Sequence, residues 1–363
     1  MPRVKFTPNW CSSPGSTIGD ILNERLISLT DFAGRIKRTR DYVNDLLLGR
    51  VTITVELATQ LQNTLGGSVA FWLNRDLQYR EDFDRFQRAV SDLAAETWLR
   101  ELPLKDMIKF GWLESCRSQR EQLAACIRFF DVPDIESWRR EYREIFDMAA
   151  FRTSPTFNSM PGSVAAWLRQ GTINARSIDC AEWNSERFRE ALSEIRFLTR
   201  KKDPDKFIPK LVEICAKCGV AIVILRGPDG CRASGATRFL SSKKAMMLLS
   251  FRYLSDDQFW FTIFHEAGHL LLHGQSGFFL EGVGMESKKE QEASEFAARI
   301  LIPNEFHSAL SNLGMNSRDI IRFARLVGVS PGIVVGQLQH SGKVARNRHN
   351  RLKRRFRWVN KKE

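Results

Sequence analysis

The stretch Asp256-Asp-Gln-Phe-Trp-Phe-Thr-Ile-Phe-His265-Glu266-Ala267-Gly268-His269-Leu-Leu-Leu-His273 decides how this chain is read. Acidic residues open it and apolar residues recur at helical spacing, so it predicts an α-helix. Four residues advance a helix by about 400°, which sets His265 and His269 roughly 40° apart and one turn along, so both imidazoles can reach one ion. Glu266 projects on the same side, beside that ion rather than onto it. With 6 His in the chain, the pattern H-E-x-x-H arises by chance about 0.006 times, and coincidence is a weak competitor. The chemistry it implies is hydrolytic. Zinc lowers the pKa of a water to about 7, Glu266 takes the proton as general base, and the hydroxide attacks a polarised peptide carbonyl.

A hydrolytic zinc needs a third protein ligand and an open fourth position. The stretch from Glu286 to Pro303 reads as a second amphipathic helix, with Ala293, Phe296, Ala297 and Ile300 as its apolar stripe. Glu290 and Glu292 flank that stripe, whereas Glu295 lies nearly opposite it. Periodicity leaves Glu290 and Glu292 both open as the third ligand.

The run H-E-A-G-H-L-L-L-H from His265, followed by E-A-S-E-F-A-A-R-I-L-I-P from Glu292, resembles the hallmark of the ImmA/IrrE family of zinc metallopeptidases. The likeness extends from about residue 200 to 340. It implies a zincin-like domain with a short sheet, Zn2+ held by His265, His269 and Glu292, Glu266 as catalytic base, and cleavage of a partner protein, often a repressor or antitoxin. Ser294 stands where Asn or Asp is usual, which bears on a hydrogen bond to a ligand rather than on the ligand itself. His273, one more turn along, could orient substrate or a ligand, and Arg252 and Tyr253 could polarise the tetrahedral oxyanion. Residues Arg238 to Ser250 read as strands, one of which could align an extended peptide.

Near the start of the chain, Thr17, Ser28 or Thr30, Thr39 and Thr54 each cap a short helix with apolar residues inward. The third of these helices, Arg40 to Leu48, stops at Gly49. About the first 80 residues resemble the XRE-type, lambda-repressor-like helix-turn-helix domain in its HigA-like antitoxin version. That resemblance implies a double-stranded DNA operator, with Arg40, Asp41, Asn44 and Asp45 at base edges, Thr39 at a phosphate, and paired copies on paired half-sites. Lys37 and Arg38 occupy the turn where the family places Gly and an apolar residue.

The remaining segments carry less chemistry. Trp138, Trp167 and Trp183 read as helical core rather than base-stacking groups, and Arg152 to Ser163 as a linker or turn-rich loop. Cys215 and Cys218 lack a second ligand pair at zinc spacing and read as buried thiols. Phe323 to Val335 resembles a helix-turn-helix turn and reads better as a hairpin closing the peptidase core.

The chain has 55 Lys+Arg against 42 Asp+Glu, a net of +13. Residues 1 to 80 contribute +3 (10 basic, 7 acidic) and residues 341 to 363 contribute +9 (10 basic, 1 acidic). The basic tail could bind a nucleic-acid backbone, or its aromatics could anchor it to the protein while the cations stay solvated. Seven scattered cysteines, no signal peptide and no membrane-length apolar run fit a soluble cytoplasmic protein with no membrane partner.

The expected fold is therefore mainly α with a small α+β domain. A helix-turn-helix bundle (1–80) precedes a helical connector (81–200), a zincin-like metallopeptidase domain with a short sheet (201–340) and a basic tail (341–363). The expected function is a homodimeric DNA-binding regulator whose zinc endopeptidase cleaves a repressor, an antitoxin or itself in a stress, phage or defence response. The alternative is a HigA-like antitoxin or repressor whose zinc domain is a non-catalytic binding scaffold.

Overall fold

A computed structural model describes residues 12–90, 92–143, 145–146, 160–274, 279–280 and 288–359. The turn-rich loop read at 152–163 lies outside them up to residue 159. The protein is mainly α with a small α+β region, in two compact units, Met1–Asp179 with Pro228–Cys231 and Cys180–Gly227 with Arg232–Glu363. Among the described residues no helix is long and apolar enough to cross a membrane.

The first unit contains α1 (Pro14–Glu24), α2 (Leu29–Arg35), α3 (Arg40–Leu47), α4 (Val55–Leu65), α5 (Val69–Ala89), α6 (Asp92–Glu101), α7 (Leu104–Lys109), α8 (Gln119–Phe130), α9 (Ile135–Glu141) and α10 (Pro161–Arg176). Ser28, Thr39 and Thr54 cap α2, α3 and α4 through their side-chain oxygens. α1 starts before the expected Thr17, because Ser13 accepts from Ser16 N and Pro14 suits the first turn. Lys37 takes the left-handed backbone, φ 54°, in the turn between α2 and α3, a strain of about 1–2 kcal/mol. Ile18, Phe32, Val43, Leu57 and Leu61 form the core of the leading helices. A separate aromatic cluster joins Trp98, Phe130 and Trp138. Trp138 and Trp167 are fully buried, so they serve packing.

The second unit contains α11 (Ser185–Leu198), α12 (Pro204–Ala216), β1 (Val220–Ile224), β2 (Gly235–Ser241), β3 (Lys244–Leu249), α13 (Asp256–Leu272), β4 (Phe279–Leu280), α14 (Lys288–Leu301), α15 (His307–Ser311), α16 (Ser317–Val327) and α17 (Pro331–His340). Its sheet has the order β1-β3-β2-β4, with β1 parallel to β3 and the other pairs antiparallel. All of β3 and nearly all of β1 are buried, which is why they read as apolar runs rather than alternating ones. Trp183 packs on Phe188 and Phe239. Cys215 and Cys218 are buried in the same core, and burial pushes both thiols up. α17 buries Ile333, Val334, Val335 and Leu338, so the 323–335 turn belongs to a hairpin packed into this core.

α13 lies across the sheet and is buried on nearly every side. Its N-terminus is held by the end of the chain. Asp256 N donates to Arg354 O at 3.0 Å, Arg354 N donates back to Asp256 Oδ1 at 2.9 Å, and Ser330 Oγ donates to Asp256 Oδ2 at 2.8 Å. Lys353 Nζ pairs with Asp257 at 2.6 Å, with side-chain exposures of only 10% and 3%. The Arg354 guanidinium donates to the carbonyls of Thr199, Arg200 and Lys201 beyond the end of α11. Phe356 packs on Phe207 and Phe251, and Trp358 on Phe251. The tail is thus a strap with Phe356 packed against the core, Trp358 touching it from the surface, and Lys353 and Arg354 consumed inside the unit.

Candidate metal centre

α13 and α14 build the site together. Gly268 on α13 faces Ala293 on α14, and a Cβ on Gly268 would sit 3.1 Å from Ala293 Cα. Two small residues let the backbones approach, which brings side chains two turns apart on α13 within reach of α14. The fully buried residues of α14 are Ala293, Ala297 and Leu301, while Phe296 and Ile300 are only half-buried. The inward face is therefore rotated from the stripe expected in sequence. Glu290 lies within about 60° of all three buried residues, and Glu292 lies roughly 100° off Ala293 on the other side.

The consequence is a definite division of labour between the two glutamates. Glu290 Oε2 is 3.1 Å from His265 Nε2, and Glu290 Oε1 is 3.2 Å from His269 Nε2. The two imidazole nitrogens are themselves 3.0 Å apart. These donor atoms of His265, His269 and Glu290 all lie within 4.8 Å of one another. Glu292, the ligand that the ImmA/IrrE resemblance implies, instead has its Oε2 3.1 Å from His273 Nε2, with Lys288 Nζ 3.8 Å from its other oxygen. The structure gathers Glu290 with the histidines and leaves Glu292 one histidine further out.

Burial alone would raise the Glu290 pKa, but hydrogen bonds from His265 and His269 outweigh it and bring the carboxyl down to about 2. Burial lowers the pKa of His269 against the pull of Glu290. Glu290 is therefore a carboxylate and His269 a neutral imidazole at neutral pH, the states in which both groups ligate a metal. Two nitrogens and one oxygen converging on a buried point are a donor set suited to Zn2+, and the residues fit that ion.

The far nitrogens of both rings are also engaged. His265 Nδ1 is 3.2 Å from Ser294 Oγ, so a hydroxyl serves at the position that the ImmA/IrrE resemblance gives to Asn or Asp. His269 Nδ1 is 3.0 Å from His273 Nδ1. If His269 offers Nε2 to a metal, its Nδ1–H donates to His273 Nδ1, and His273 Nε2–H then donates to Glu292. A carboxylate–histidine–histidine chain thereby fixes the tautomer of His269.

Glu266 is fully buried, next in sequence to His265. Its room is made by Gly235 at the start of β2, where a Cβ would lie 2.4 Å from Glu266 Oε1 and 2.7 Å from Thr262 Cγ2. Gly235 and Gly268 are the parts that sequence reasoning missed, whereas Glu290 was one of the two glutamates it left open. A glycine opposite the motif helix has no spacing signature, whereas the small residues Gly268 and Ala293 were a signal of close helix approach that the reading did not use. Arg252 and Tyr253 lie in the turn before α13, beside Gln258 and Thr262. They contact each other, with the guanidinium 4.9 Å from the ring centroid, and Arg252 donates to the Arg232 carbonyl.

The other sequence-predicted site belongs to the first unit. Thr39 Oγ1 accepts from Tyr42 N as the cap of α3, Arg40 donates to the Ser177 carbonyl at 2.8 Å, and Asp45 pairs with Arg50 at 3.2 Å. Asp41 is exposed and Asn44 half-buried.

Residues 220–338 match the family model of the IrrE N-terminal-like domain, a stretch that contains every residue of the metal centre. No curated protein and no solved structure matches the chain. The match supports a metallopeptidase-type domain in this stretch and the ImmA/IrrE part of the resemblance.

Proposed function

We propose that this chain is a DNA-binding regulator with a zinc-dependent endopeptidase that cleaves a partner repressor, an antitoxin or the chain itself in a stress, phage or defence response. The observation that carries the peptidase half is the convergence of His265, His269 and Glu290 on one buried point, with the buried Glu266 carboxylate on the same helix. A bound Zn2+ supplies Lewis acidity toward a carbonyl and toward water. Glu266 accepts the proton of the attacking water and returns it to the leaving amine, and the space left by Gly235 lets its carboxylate stay in place. His273 and Glu292 act through His269, as positioning residues. The test compares wild-type and Glu266→Gln chains expressed in one bacterial host with candidate repressors and antitoxins, by N-terminal proteomics and intact mass. New protein N-termini that depend on Glu266 are expected, with cleavage about 10²–10⁴-fold slower in the variant. Identical sets of termini would leave the zinc domain a scaffold.

The DNA half is supported by α3, which offers Thr39, Arg40 and Asp41 at its open end and buries Val43 and Leu46. Arg40 is held by Ser177, so reading a guanine requires it to exchange that carbonyl for a base edge. Two copies on paired half-sites follow from this mode of reading. Footprinting on the chain's own promoter with Arg40→Ala and Asn44→Ala checks it, and unchanged affinity in both variants would remove α3 as the reading helix.

A further inference from the structure

The strap leaves most of its cations facing solvent, and a second source of charge lies beside them. From residue 306 to 359 the chain has 11 Lys/Arg, 9 of them Arg, against the single acid Asp319, whose carboxylate is taken by Asn316. On α16, Arg318, Arg322 and Arg325 are all exposed and make no ion pair among the described residues. Their spacing of four and then three residues stacks them on one face, opposite Ile320, Phe323, Ala324 and Val327, which enter the core.

The strap is pinned to the same end of this hairpin. Gln339 near the end of α17 donates to the carbonyls of Arg346 and Arg348 at 3.1 and 2.8 Å, and Arg351 donates to Ser317 Oγ at 3.0 Å, at the start of α16. Arg346, Arg348 and Arg351 are exposed and thus adjoin the Arg318 end of the stripe.

We propose that this face of the second unit binds the phosphodiester backbone of nucleic acid. Guanidinium groups match phosphate oxygens in forked pairs, and arginine outnumbers lysine heavily here. The α16 stripe runs about 10 Å, the axial length of about three nucleotides of one strand. The second helix of the hairpin, α17, is buried or half-buried at every residue but His340, so it presents no face with which to read bases. The contact is therefore to backbone and independent of sequence, and it places a polyanion on the unit that carries the metal centre. It rests on neither the peptidase nor the operator reading.

The test uses the full chain and an unrelated labelled oligonucleotide, as single strand and as duplex, by fluorescence anisotropy at about 50 and 200 mM salt. Arg318→Gln/Arg322→Gln/Arg325→Gln is expected to weaken binding at least about 10-fold and to lower the salt slope by about 2–3. Arg346→Gln/Arg348→Gln/Arg351→Gln should do likewise, and the exposed pair Arg187→Gln/Arg189→Gln on α11 should not. Binding of one oligonucleotide form or both identifies the source of the phosphate. Unchanged melting temperature and metal content establish that the variants are folded. No oligonucleotide binding by wild type, an unaltered slope in the α16 variant, or binding to phosphatidylglycerol vesicles in place of oligonucleotides would each overturn the proposal.

Discussion

Helices α13 and α3 were both legible from caps and apolar spacing, yet their polar side chains are used in opposite ways. On α13, Asp256, Asp257, His265, Glu266 and His269 point inward and are buried at 4% exposure or less. On α3, Arg40 and Asp41 point outward, and Arg40 and Asp45 meet neighbours at the surface. Polar groups buried without partners cost several kcal/mol, so a helix that buries five of them must satisfy them with ions, counter-charges or chemistry. A surface helix bears no such constraint. The motif on α13 is therefore tied energetically to one site, while the same kind of residue pattern on α3 is compatible with several uses.

The contrast is sharpest at Asp257. Asp257→Ala takes the counter-charge from Lys353, leaving it Gln339 Oε1 at 2.8 Å, and should destabilise the second unit by up to about 3–5 kcal/mol in denaturant unfolding, whereas replacing both partners with apolar residues should cost little. An Asp257→Ala loss under about 1 kcal/mol would mean that the inward face of α13 is not under this constraint. Next comes Gly235→Ala, whose added Cβ meets the Glu266 carboxylate and should cost about 1–3 kcal/mol of stability, together with cleavage activity. Normal activity in that variant would place the working carboxylate elsewhere. Glu292→Gln should weaken zinc about 10–100-fold in a chelator competition while retaining the site. Arg40→Ala is the smallest change, removing one exposed bond to Ser177 for at most about 1 kcal/mol of stability. A larger loss would show that the outward residues of α3 are constrained as tightly as the inward ones of α13.

Much of the architecture followed from local signals. The caps at Ser28, Thr39 and Thr54, the buried strands and the helix carrying His265 and His269 all act over a few residues, and the structure contains them. Glu290 was not separable from Glu292, because the choice turned on which apolar residues of α14 face inward. The bulky Phe296 and Ile300 drew the expected stripe toward themselves, while the close approach of Gly268 to Ala293 turns the helix the other way. The strap was legible only as charge. Its role depends on pairings such as Arg354 with Asp256 and Lys353 with Asp257, nearly a hundred residues apart, for which no local spacing exists.

The division between the two glutamates, with Glu290 beside His265 and His269 and Glu292 behind His273, is what the proposed function rests on. Metal content of the purified full chain, measured by mass spectrometry after exhaustive exchange into zinc-free buffer, tests it. About one zinc per chain is expected for wild type and for Glu292→Gln, and essentially none for Glu290→Gln. Zinc retained by Glu290→Gln and lost from Glu292→Gln would reverse the assignment.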